Sequence, residues 1–263
     1  MKRALAAFER VYADDGDVIA YLESDINRCA IDIWNLRFES NHHEFYVARD
    51  RGTIRAHLGI FHAPEADYVT LGGHDEGVGR LLTLIPDRAV VLVPPAAFEA
   101  ARPRMKPGIV YSSDLMLVRR GEETVGPPGT AVRLTEKDAE EYAGFGASFN
   151  APPVPVEWAR ERISRDAVFG VFEQGKLASI ASAMAFHPEV AVIMGVETRK
   201  EFRRRGYGRS VVSAAVREAL DRSKSCTLWV ASRNSEAQPM YRSLGFRKVG
   251  EELWVDIGTG VTP

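Results

Sequence analysis

The sequence predicts an α/β (α+β) fold built as two halves, on three observations. Short strand-like runs alternate with amphipathic helical stretches along the chain, the signature of packed strands and helices. The segment Gly121-Glu122-Glu123-Thr124-Val125-Gly126-Pro127-Pro128-Gly129 combines glycine, proline and charge with little to bury, which reads as a linker. The length of 263 residues exceeds a lean single domain of roughly 100–200. The expected halves are 1–125 and 130–258.

In the first half, Leu5, Phe8, Val11 and Tyr12 have helical spacing, and a second helix is expected near Val18–Leu22. Strands are expected at Glu44–Ala48, Arg55–Phe61 and Tyr68–Leu71, then a helix from Asp75 to Leu84. Ala89–Val93 is a short continuous apolar run, hence a buried strand, and Pro94-Pro95 stops it. A short helix over Phe98–Met105 and a strand over Leu115–Arg119 complete the half.

The second half opens with a strand at Thr130–Leu134, after which Thr135 and Asp138 form a capping-box-like helix start. Helices are expected to Phe145 and over Val156–Ile163. Val168–Glu173 and Leu177–Phe186 are strands joined by the turn Gln174-Gly175-Lys176. A strand at Val190–Val196, a helix from Gly206 to Arg222, a strand at Cys226–Ala231, a helix at Ser235–Leu244 and a strand within Phe246–Ile257 follow.

Composition narrows the function. With 45% hydrophobic residues, 27% charged residues and a formal net charge of −2, the chain is an ordinary globular one. That balance gives no global attraction to nucleic acid or to an anionic membrane, so neither is an expected partner. Cys29 and Cys226 are too far apart to form a metal-ligand spacing or a disulfide framework, so no metal is expected. A reducing, cytoplasmic setting is expected from the cysteine usage and from the charges at Glu9 and Arg10, which interrupt any secretory apolar core.

The most informative segment runs from Met194 to Ser210. Six of the eleven residues from Arg199 to Arg209 are basic and one is acidic. Gly206 and Gly208 sit where a strand feeds a long amphipathic helix, so free N–H groups and the helix dipole would form an anion site there. Val211 stands where a dinucleotide-binding fingerprint needs its third glycine, and the Gly-Lys-Ser/Thr of a P-loop is missing. A phosphate ligand is therefore expected on neither of those folds.

Arg203-x-x-Gly206-x-Gly208 resembles the acetyl-CoA-binding motif of the GNAT superfamily of N-acetyltransferases, Arg/Gln-x-x-Gly-x-Gly/Ala. Downstream, Asn234-x-x-Ala237-x-x-x-Tyr241-x-x-x-Gly245-Phe246 is similar to the second signature of that family. The resemblance covers residues 130–257 and implies a mixed, mostly antiparallel sheet flanked by helices. It implies acetyl-CoA as co-substrate, with Val196 and Thr198 offering backbone groups to its pantetheine arm. The N–H groups of Arg205, Gly206 and Gly208, with Arg209 and Ser210, would hold the pyrophosphate, and Arg203 and Arg204 would pair with the phosphates. Asn234 would bind the cofactor arm, and Tyr241 would act as general acid on the coenzyme sulfur.

Glu197, a lone acid between Val196 and Thr198 in an apolar strand, is the base candidate, since burial would raise its pKa toward a useful value. Glu189 and His187 are the fallbacks. Trp158, Phe149 and Trp229 could line an acceptor pocket or simply pack in the core. The acceptor implied is a primary amine on a small molecule or peptide. The alternative is a non-catalytic acyl-CoA-binding module. In the first half, His74-x-x-Gly77-x-Gly79 looks like a worn copy of the same motif, with Asp75 and Glu76 acidic where phosphates need donors. A degenerate GNAT-like half would wall the acceptor cleft or provide a homodimer surface.

Overall fold

The computed structural model describes residues 8–12, 15–39, 41–102, 108–126, 129–146 and 153–261. The chain begins with β1 (Phe8–Val11), α1 (Gly16–Glu23), α2 (Ile26–Phe38), β2 (His43–Asp50), β3 (Thr53–His62) and β4 (Asp67–Gly73). It continues with α3 (Asp75–Leu81), β5 (Ala89–Val93), α4 (Pro95–Ala101), β6 (Ile109–Arg119) and β7 (Val132–Arg133). Then come α5 (Ala139–Phe145), α6 (Val156–Arg165), β8 (Ala167–Glu173), β9 (Lys176–Met184) and β10 (Ala191–Thr198). It ends with α7 (Tyr207–Arg222), β11 (Ser225–Ala231), α8 (Ala237–Ser243) and β12 (Arg247–Ile257). No helix among the described residues is long and apolar enough to cross a membrane.

Contacts divide the chain into two units. The first is Met1–Leu115 with Trp229–Asn234 and Val249–Pro263, and the second is Met116–Leu228 with Ser235–Lys248. A cut at 121–129 is therefore not where the contacts part. The reason is topological: Leu253–Ile257 of β12, at the far end of the sequence, pairs antiparallel with Val93–Ala89 of β5. Glu252 of the same strand is buried and ion-paired to Arg28 of α2.

In the first unit β1, β2, β3 and β4 pair antiparallel in sequence order, and β4 pairs parallel with β5. The second unit repeats this plan. There β7, β8, β9 and β10 pair antiparallel, and β10 pairs parallel with β11. In each unit two helices precede the second strand and one follows the fourth. The expected mixed, mostly antiparallel strand pattern with flanking helices thus recurs in each unit.

Local chemistry explains the elements that position the site. Asp15 caps α1 by accepting from Asp17 and Val18 N–H at 3.1 and 3.3 Å. The backbone N–H of Thr135 donates to Asp138 Oδ2 at 2.7 Å in the expected capping box. Gln174 and Gly175 both have positive φ, 52° and 76°, the conformation a two-residue hairpin turn between β8 and β9 requires. The buried stripe of α7 runs through Val211, Val212, Ala215, Val216, Ala219 and Leu220. The guanidinium of Arg120 caps its far end, donating to Leu220 O at 2.6 Å and Ser223 O at 3.0 Å, so carbonyls that have no helical partner are satisfied.

Besides the short helix expected over Phe98–Met105, which is α4 (Pro95–Ala101) with residues 103–105 outside the described residues, two elements depart from the sequence reading. Phe8–Val11 is the strand β1, paired with Phe45–Ala48, and not part of a helix. Phe8 and Tyr12 are exposed while Val11 is buried, so the spacing that suggested a helix has no apolar face behind it. Leu5 lies outside the described residues. Conversely, α2 occupies a stretch to which hydrophobic periodicity assigns no element.

Candidate active site

The candidate site lies along the fourth strand of the second unit. β10 pairs in parallel with β11 at Ala191–Cys226 and Val192–Thr227. Past Val192 that edge of β10 has no ladder partner among the described residues. On its other edge β10 follows β9 to Thr198, with a bulge between Met194 and Glu197. Val196 lies within the bulge. A bulge re-aims side chains and frees backbone groups, so the strand offers an open edge beside which an extended ligand arm could lie. Ser179 locks the end of the strand: its hydroxyl donates to Glu197 O at 2.9 Å and shares a hydrogen bond with Thr198 Oγ1 at 2.8 Å.

Glu197 faces solvent on its outer side, yet desolvation by the surrounding protein raises its carboxyl above the ordinary range. It makes no ion pair among the described residues. Arg199, its nearest basic neighbour in sequence, is engaged elsewhere: its Nε donates to Leu177 O at 2.7 Å and its guanidinium lies 5.0 Å over the Phe145 ring. Glu189 and His187 precede the opposite end of β10. Glu189 is ion-paired to Lys224 at 2.7 Å, and its N–H donates to His187 Nδ1 at 3.3 Å.

From Thr198 the chain passes through a single 3-10 turn at Lys200–Phe202 into α7. Gly206 is the helix N-cap in the left-handed region, φ 82°, and a Cβ there would meet nothing within 4 Å. Gly208 is needed for close approach instead: its Cβ would lie 3.3 Å from Thr198 Oγ1 and 3.8 Å from Met240 Sδ. The first intrahelical bond is from Ser210 N–H to Gly206 O at 3.0 Å. The N–H groups of residues 206–209 therefore have no partner within the helix, and the positive end of the dipole adds to them.

The side chains around this helix start divide into two sets. Arg203, Arg204, Arg205 and Arg209 are exposed. Arg203 Nε braces Thr198 O at 3.2 Å, Arg205 reaches Glu173 at 4.0 Å, and Arg209 holds Ser243 Oγ. Ser210 has a structural role instead. Its N–H is spent in the helix, and its Oγ accepts from Ala131 N–H at 3.1 Å.

Tyr241 sits on α8, next to the Met240 that abuts Gly208. It is buried at 5% exposure and packs edge-on against Phe246 at 5.9 Å. Its hydroxyl makes no hydrogen bond among the described residues. Burial raises its pKa, so it stays a protonated donor at neutral pH.

Residues 168–255 match the family model described as FR47-like protein. Among curated proteins, a UPF0039 protein of Schizosaccharomyces pombe is 31% identical over 82 residues, 31% of this chain. The match spans 55% of that relative's length. Among solved structures, a GCN5-related N-acetyltransferase-like protein from Streptococcus suis gives a TM-score of 0.62 at 14% identity, over 90% of this chain and 97% of that one. A tandem GNAT protein from the clavulanic acid biosynthesis pathway gives 0.59 at 13% identity, over 97% and 100%. The GCN5-related N-acetyltransferase from Sphaerobacter thermophilus gives 0.59 at 16%, over 97% and 98%. The likeness at these identities is one of fold, and it runs through both halves.

The chain has the GNAT fold.

Within the GNAT fold, the end of β10 and the start of α7 approach each other and Met240 of α8 at Gly208, and Tyr241 follows Met240 on α8. Asn234 falls in the segment that packs with the first unit, where its N–H donates to Ala231 O at 2.8 Å. Trp229 belongs to that segment too. Trp158 is half-buried on α6, with Arg162 stacked 5.1 Å over its ring, and Phe149 lies outside the described residues.

The corresponding turn of the first GNAT-like unit is built differently. Gly77 is buried against β3, where a Cβ would lie 2.8 Å from Arg55 Cβ and 2.9 Å from Ala56 Cβ. Its N–H and that of Val78 donate to His74 O at 2.9 and 3.1 Å. The glycine serves helix-on-strand packing, and these donors are spent. The open, cationic ledge of Gly206 is not reproduced there.

Proposed function

We propose that the protein is an acetyl-CoA-dependent N-acetyltransferase acting on a primary amine of a small molecule or peptide. The observation that carries the reading is the unpaired edge of β10 running into the start of α7. An extended arm with a pyrophosphate at its end is a ligand that uses both. Val196 and Thr198 lie along the arm, the N–H groups of Gly206 to Arg209 meet the pyrophosphate, and Arg203, Arg204 and Arg205 supply charge.

The transfer is a direct attack. Glu197 takes a proton from the ammonium, in one step or through water, and the amine nitrogen bonds to the thioester carbonyl carbon. The carbon–sulfur bond then breaks as Tyr241 donates its hydroxyl proton to the leaving sulfur, and the second proton shed by the now-acylated nitrogen restores Tyr241 through water. An α-amine, with pKa about 7.7–8, needs less from the base than a lysine amine at about 10.4.

The sign of the pH dependence follows from Glu197. Its raised pKa means the base is still protonated above the usual glutamate value of 4.5. Turnover in the wild type is expected to climb through a limb centred above that value as the carboxylate forms. Glu197→Gln should erase the limb and lower kcat/KM by about 10²–10⁴. A variant with the wild-type profile would remove Glu197 from the reaction.

A further inference from the structure

Three side chains of the first unit meet on the wall of a cavity of about 250 Å3. Cys29 and Asp32 stand one turn apart on α2, so they share a face, and His57 comes from β3. One ligating atom from each lies within 4.8 Å of the other two, and all three residues are buried. We propose that Cys29, Asp32 and His57 form a binding site for a divalent transition metal of zinc type, its fourth position open to the cavity.

The surroundings aim each donor. The Thr70 hydroxyl donates to Asp32 Oδ1, which leaves Oδ2 turned toward His57 Nε2 at 4.0 Å. Tyr21 OH holds His57 Nδ1 at 3.2 Å, and Phe45 stacks on the ring at 5.8 Å. His57 Nε2 makes no hydrogen bond among the described residues. An imidazole held through one nitrogen with the other free, and a carboxylate anchored through one oxygen, is the outer-sphere support that metal ligands require. Thiolate, imidazole and carboxylate together suit Zn2+ over the hard cations.

Two glycines make room for this cluster. A Cβ on Gly72 would lie 2.3 Å from His57 Cε1, and one on Gly59 would lie 2.8 Å from Asp32 Oδ1. Two ligands each about 2.0–2.1 Å from a tetrahedral zinc are roughly 3.3 Å apart. The His57 Nε2–Asp32 Oδ2 separation of 4.0 Å would have to shorten by roughly 0.7 Å on binding. Ser24, Asp25, Arg28 and His74 also line the cavity, with Arg28 ion-paired to Asp25 and Glu252. The site is independent of the proposed transfer chemistry, which lies in the second unit.

Cobalt(II) added to the chelator-treated, reduced 263-residue chain tests the proposal. One equivalent is expected to bind, with a thiolate-to-cobalt charge-transfer band and the intense visible bands of a tetrahedral ion, both removed by added zinc. Cys29→Ser should abolish the charge-transfer band, His57→Gln should weaken binding by at least about tenfold, and Cys226→Ser should leave the spectrum unchanged. A wild-type chain that shows no charge-transfer band in excess cobalt overturns the site, whatever the folding of the variants. So does a band that survives Cys29→Ser.

Discussion

Tyr241→Phe is expected to lower turnover by about 10²–10⁴, the range of general-acid effects, while acetyl-CoA affinity and folding stability change little. The hydroxyl makes no hydrogen bond among the described residues, and losing a buried hydroxyl that has no partner costs the fold little. The ring, packed on Phe246 at 5.9 Å, is kept. A tyrosine that only packs would give a variant of unchanged melting temperature and near-normal turnover per folded molecule. Steady-state kinetics beside a thermal melt separates the two, and wild-type turnover in the variant would exclude Tyr241 as the acid.

Gly206→Asp is expected to abolish detectable acetyl-CoA binding by calorimetry while leaving a folded protein. A Cβ at this position meets nothing within 4 Å, so the new side chain meets no steric obstacle. A negative charge beside the helix start opposes an anionic ligand there. The left-handed φ of 82° costs a non-glycine residue roughly 1–2 kcal/mol, and aspartate tolerates it better than most. Unchanged affinity would show that the coenzyme does not use this turn.

The features legible in the sequence are those set by near neighbours along the chain. The turn from Arg203 to Gly208 can be read because glycine at an N-cap, a basic run and an amphipathic helix are all local properties. The capping box at Thr135 and the hairpin at Gln174-Gly175 are legible for the same reason. The helix α2 is not, because its buried face carries Asp32 and Asn35 among Cys29, Ala30, Ile33 and Leu36. Polar residues on the core side break the apolar period. That same irregularity makes the polar cavity of the first unit, whose third member, His57, is brought to Cys29 and Asp32 only by packing of α2 on the sheet. The pairing of β12 with β5 joins residues about 160 positions apart, and no local signal encodes it. Ser210 resembles a phosphate ligand by position. Its bond to Ala131 N–H depends on a chain segment far from it in sequence.

That an open strand edge leading into a cationic helix start makes this GNAT fold an acyl-transfer enzyme is tested most directly by thiol release. The 263-residue chain is incubated with acetyl-CoA and a panel of primary amines, spanning amino acids, polyamines and peptide N-termini, and free coenzyme thiol is followed with time. The expected result is release that depends on one class of amine, with acetylated amine formed in equal amount. Acetyl-CoA that binds by calorimetry yet yields no thiol with any amine would contradict it and favour an acyl-CoA-binding module.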